Sequence, residues 1–116
     1  MLTVRRQQDG LTVASQVEIA ESLSLRLLGL IGRDRLAEGH GLFLRSCSSV
    51  HMFFMSFPID VVYLDKDLSV VAVDTNLKPW CFGGLHWRAK HVLELRCYTA
   101  GLLKKGDKLE IIEEGA

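Results

Sequence analysis

No apolar run in this chain approaches the roughly 20 residues that a membrane-spanning helix needs, so no membrane span is expected. The opening MLTVRRQQDG carries no apolar core of signal-peptide length. No export signal is read there, and the cytoplasm is the expected compartment. Neither sign of charge is in excess, since fourteen basic residues balance fourteen acidic ones. That balance argues against non-specific nucleic-acid binding, which runs on phosphate neutralisation, though it leaves room for a local basic patch. Three cysteines, an odd number, suit reduced thiols better than a disulfide frame. Internal repeats and low-complexity segments are absent, as are Cys-x-x-Cys and His-Glu-x-x-His motifs, and no cofactor is implied.

What is present suits one globular domain over residues 1–116, with 48% apolar and 24% charged residues. At this length folding buries roughly two-thirds of the chain's surface, enough for a core without disulfides or metal. The stretch Ser49–Asp65 holds three of the five phenylalanines and two of the three methionines. It can carry the centre of that core, and it sets His51 and Asp60 among apolar neighbours.

Leu2–Arg6 and Leu11–Val17 flank an Asp9-Gly10 turn and read as a β-hairpin. Leu11, Val13, Ser15 and Val17 would share one face of the second strand. Ser22–Ile31 changes period, with Leu23, Leu27, Leu30 and Ile31 on one helical face, Ser22 as N-cap and Gly32 after the end. Leu42–Leu44 reads as a short buried strand, and His51–Phe57 as extended. Ile59–Leu64 is apolar on both faces apart from Asp60, the pattern of a central, covered strand. With the turn Asp65–Asp67 and the valines after it, it forms a second hairpin. Asn76–Lys90, with both tryptophans, Pro79 and the Gly83-Gly84 pair, reads as a long irregular loop. His91–Leu95 and Lys108–Ile112 resume strands, and Ala100–Lys105 can make one helical turn. About eight strands and one main helix, with a second short helix, give an α+β class. Its sheet is expected to be mainly antiparallel and barrel-like, packed by the helix.

With these residues in hand, the chain resembles the domain of unknown function 192 family, from roughly Ser22 to Ile112. The resemblance rests on Leu28–Arg33, Gly41–Leu44, His51–Asp65 and Val92–Leu95 followed by Gly106-Asp107. Pro58–Val62 and Pro79-Trp80 are its most distinctive marks. Two departures stand out: Arg96–Gly101 replaces a common Leu-Pro-Ala-Gly, and Leu68 stands where a glycine commonly closes the hairpin. The resemblance implies a compact β-rich fold and brings no established activity.

The function must therefore come from the residues. The leading reading is a non-enzymatic binding module for a small anionic or aromatic molecule, or for a protein partner. Its candidate binding residues are Arg33, His51, Phe54, Asp60, Lys78, Pro79 and Trp80. Trp80 and Phe54 would give apolar contact, His51 and Asp60 polar anchors, and Arg33 or Lys78 a positive charge. The alternative is a hydrolase-like or metal-assisted enzyme using His51 and Asp60. Metal ligation could draw on Cys47 with His51, or on Cys81, His86 and His91, although these spacings match no strong zinc pattern. A structural reading competes at each point: Asp60 as a turn cap, His51 as a sheet histidine, Trp80 as a plug for the barrel end, and the cysteines as small buried hydrophobes. A third reading offers a sheet edge to another chain.

Overall fold

The computed structural model of the protein describes residues 2–20, 36–52 and 55–113. Seven strands form one sheet: β1 Leu2–Arg6, β2 Thr12–Ala20, β3 His40–Leu44, β4 Ile59–Leu64, β5 Val70–Leu77, β6 His91–Arg96 and β7 Leu109–Glu113. Their order across the sheet is β5-β4-β6-β3-β2-β1-β7. Every neighbouring pair is antiparallel except β2–β3.

The α+β expectation is corrected by this architecture. Among the described residues the protein is nearly all β, and its only helical piece is the 3-10 turn Ala100–Leu102, shorter than the expected Ala100–Lys105 turn. The expected helix Ser22–Ile31 lies outside the described residues. Among the described residues seven strands replace the expected eight, because the described part of His51–Phe57 does not join the sheet. His51 makes a single antiparallel bridge to Phe82, and the Met55 amide folds back to the Met52 carbonyl at 3.2 Å. The sheet is also open rather than a barrel, since β5 and β7 are edges. They touch at one corner only, through a Ser69–Lys108 bridge and a Val70 amide donating to the Asp107 carbonyl at 2.7 Å.

β4 sits inside the sheet and all six of its residues are buried, as its run, apolar on both faces apart from Asp60, predicts. Ile59, Val61 and Tyr63 face one core cluster, with Leu42, Leu44, Met52 and Val92. Val62 and Leu64 face the other, with Val4, Val17, Phe43, Leu93 and Leu95. Side chains alternate across a strand, so a central strand feeds both clusters at once.

Strict alternation fails on β2. Leu2 pairs with Val17 but Val4 pairs with Ala14, so β2 carries an extra residue opposite β1. The Ser15 and Gln16 amides both donate to the Gly39 carbonyl, at 3.0 and 2.9 Å, which is the signature of a bulge. Ala14, Val17 and Ala20 consequently all reach the core.

The hairpin turns form where the sequence places them. Gly10 adopts φ 71°, a conformation that suits glycine. At the β4–β5 turn Leu68 adopts φ 66°, a left-handed conformation costly for a side chain. The Asp65 carboxylate braces that turn by accepting the Asp67 and Ser69 amides at 2.8 and 3.0 Å.

Arg6 fastens the closing corner. Its guanidinium donates to both Asp9 oxygens, to the Leu102 carbonyl at 2.8 Å and to Asp107 at 3.4 Å. The Arg6 guanidinium and then the Leu11 amide hold the Asp9 carboxyl down at about 2. A carboxyl depressed in the folded state contributes stability above its unfolded pKa of about 3.9 and loses it as pH falls towards the folded value. Urea unfolding over a pH series should therefore show wild type more stable than Asp9→Asn above about pH 4, with the gap closing towards pH 2.

Candidate functional site

β5 and β6 both run antiparallel to β4, so they run parallel to each other, and the chain joining them must cross back over the sheet. Residues 78–90 are that crossover. It leaves β5 at Leu77, opposite Ile59, and ends with the Lys90 amide donating to the Leu64 carbonyl at 2.7 Å. It therefore travels the length of β4.

Tyr63 anchors the crossover to the sheet. Its hydroxyl, in a fully buried side chain, donates to Asp74 Oδ2 at 2.7 Å. The Gly84 amide donates to the same oxygen at 2.9 Å. Burial, followed by the Asp74 carboxylate, pushes the Tyr63 hydroxyl far above its ordinary range, so it stays a donor. The His86 ring packs on the Tyr63 ring with centroids 4.5 Å apart. Only glycine fits at position 83, because an added Cβ would lie 2.7 Å from Val50 Cγ2 and closer still to the Tyr63 hydroxyl. Three backbone hydrogen bonds tie the crossover to the chain at 50–52: Trp80 amide to Met52 carbonyl, Met52 amide to Cys81 carbonyl and Gly83 amide to Val50 carbonyl.

Asp60 works from the other face. Its side chain is fully buried, and each oxygen accepts one backbone amide at 2.9 Å: Oδ1 from Asn76 and Oδ2 from Ala100. Ile59 pairs with Leu77 but Val61 with Asp74, so β5 bulges opposite Asp60. The carboxylate takes up the amide that the bulge turns away from the ladder. Asn76 itself has φ 53°, tolerable for asparagine.

His51 and Asp60 are not brought together. His51 joins the crossover through Phe82, on the Tyr63 face, and Asp60 joins Ala100 on the opposite face. Lys78 and Trp80 are exposed and Pro79 is half-buried, all at the start of the crossover. Trp80 holds φ 66° and turns outward rather than plugging a barrel end. Arg33 and Phe54 lie outside the described residues.

The metal candidates are likewise scattered. His86 faces Tyr63, Cys81 is exposed, and His91 packs on Phe43 while its Nδ1 accepts the Ser46 amide at 3.0 Å. Burial, and then the Arg45 charge, lower the His91 pKa and favour its neutral form. Among the described residues no three His, Cys, Asp or Glu side chains are grouped to hold a metal. Cys97 donates to Asn76 Oδ1 at 3.4 Å, and burial, with Asp60 next, pushes its thiol up, the reverse of what a nucleophile needs.

Between the end of β5 and the crossover lies an open groove of about 580 Å³. Val73–Lys78 form one wall and Cys81–Gly84 the other. Tyr63 and Asp74, the pair that supports this groove, escape sequence reasoning because Tyr63 reads as one more member of an apolar run. The Gly83-Gly84 pair was the available signal, since paired glycines mark a close backbone approach.

Two substitutions measure these supports by urea unfolding. Asp60→Ala strands two backbone amides and should cost roughly 1–3 kcal/mol for each. Gly83→Ala should cost about 1–3 kcal/mol by overpacking against Tyr63 and Val50.

The solved structure of a protein of unknown function from Novosphingobium aromaticivorans shares the fold. It matches with a TM-score of 0.76 and 21% identity, over 94% of this chain and 82% of that one. A UPF0127 protein of Pyrococcus abyssi is 36% identical over 105 residues, spanning 84% of this chain and 86% of its own. Another from Pyrococcus horikoshii is 37% identical over 91 residues, spanning 76% and 78%. With the profile of DUF192, described as uncharacterized ACR, matching residues 4–111, the chain belongs to that uncharacterised family, whose function is unknown.

Proposed function

We propose that the protein is a non-enzymatic binding module whose groove beside β5 takes a small aromatic anion. The observation that carries this reading is the meeting of a cation, an exposed ring and a concavity at one place. Lys78 and Phe82 line the groove, and Pro79 and exposed Trp80 lie in the short stretch of chain between its two walls. His51 braces the Phe82 wall through its backbone bridge, and Asp60 braces the other wall from beneath through the Asn76 amide. A carboxylate on the ligand would meet Lys78, and its ring would lie against Phe82. The competing enzyme reading loses support because its two principal residues lie on opposite faces of the sheet.

Amide chemical shifts during titration with a panel of aromatic carboxylates test this. Shifts should concentrate in Lys78–Gly84. Lys78→Ala should weaken binding by about tenfold or more, the worth of one charge-assisted hydrogen bond. Shifts confined to other segments, or none across the panel, would overturn the reading.

A further inference from the structure

Past Gly84, where the groove wall ends, the crossover has an outer surface that the groove does not use. On its inner side the Gly83 backbone and the His86 ring press on Tyr63, and Ala89 is buried. Those between them point away. Leu85 is 89% exposed and Trp87 83%, with Phe82 at 71% and Trp80 at 59% earlier on the same segment. Most of the other large apolar side chains on the described sheet are buried, so four exposed in one short segment is a concentration.

The charge along this segment has one sign, and where Leu85, Trp87 and Arg88 line an open pocket they meet one carboxylate, Asp65, and one further cation, Lys105. No acidic residue occurs between Asp74 and Glu94, while Arg88 and Lys90 are both exposed within that interval. The Arg88 guanidinium carbon sits 5.2 Å from the centroid of the Trp87 ring, which places a cation and a large apolar ring side by side. Apolar and aromatic side chains beside arginine and lysine are the chemistry of a surface that enters the headgroup layer of an anionic membrane. Leu85 decides between that partner and a single-stranded nucleic acid. Bases stack on aromatic rings, and an aliphatic side chain at the most exposed position of the segment gives them nothing to stack on.

We infer that residues 85–90 of this crossover segment present a docking surface for anionic phospholipid, with Leu85 and Trp87 entering the headgroup region and Arg88 and Lys90 meeting the phosphates. This stands independently of the ligand in the groove.

The chain carries its own reporter, because both of its tryptophans, Trp80 and Trp87, lie on this segment. Intrinsic fluorescence should shift to the blue on adding phosphatidylglycerol-containing vesicles, and the protein should co-sediment with them. Partitioning onto phosphatidylcholine vesicles should be about thirtyfold weaker, from two basic residues worth about 1 kcal/mol each near an anionic surface. Arg88→Glu with Lys90→Glu should abolish the preference for anionic vesicles, and Leu85→Glu should reduce binding to both kinds. These side chains are exposed, and both fluorophores survive the substitutions. Lys78→Ala, which tests the groove, should leave vesicle binding unchanged. Equal partitioning onto both vesicle types would overturn the inference. So would no binding to either, or a fluorescence shift with a single-stranded oligonucleotide and none with vesicles.

Discussion

A buried carboxylate must be met by donors, and Asp60 is met by two backbone amides. Those two amides belong to segments far apart in the chain, so one side chain on the central strand holds a bulge on β5 and the start of the 3-10 turn together. The bulge matters beyond its own hydrogen bond. It sets Asn76 in a left-handed conformation just before β5 ends, and so sets the direction in which the chain departs over the sheet. The crossover, the second wall of the groove and the exposed aromatic residues on the crossover all lie downstream of that turn. A charge with no visible chemistry of its own is therefore where the geometry of the candidate site begins.

The crossover is pinned on its underside by a different device. Tyr63 offers a single hydroxyl from inside the sheet, and Asp74 gathers both that hydroxyl and the Gly84 amide on one oxygen. The backbone comes so near Tyr63 that position 83 has no space for a side chain. Because the inner side of the segment is committed to this contact, the residues between must face outward. The apolar character of the outer surface is then a result of how closely the crossover is drawn to the sheet.

The hairpins and the covered strand were legible because their signals are local: an Asp-Gly turn, an Asp-Lys-Asp turn and an apolar run on both faces. The alternation of Leu11–Val17 misled because the Gly39 carbonyl, distant in sequence, draws two successive amides of β2 into a bulge. His51–Phe57 has strand-like residues, yet His51 and Met52 pair with a crossover whose path depends on sheet order, which periodicity does not encode. Asp60 stood out as an acid in apolar surroundings, while its two amide donors did not, since backbone groups carry no sequence signature. Trp80 was visible as a large ring in a loop, but the side on which it emerges depends on its left-handed backbone conformation. Lys78 lines the groove, and Pro79 and Trp80 follow it in the chain. His51 and Asp60 part because Asp60 points to the face of the sheet opposite the one that His51 and its neighbours cover.

The pairing of β1 with β7 joins, across five residue pairs, strands separated in sequence by all the other strands of the sheet. A ribosome delivers β1 long before β7, so β1 waits with one edge open until all the strands between them have been made. Local hairpins can form early, but the sheet acquires this edge only once β7 has been made. Such distant pairing slows folding, and for that interval the nascent chain offers a strand edge to any neighbour able to pair with it. The interval of greatest exposure to misassembly is thus set by the order of the strands, and it ends when β7 docks.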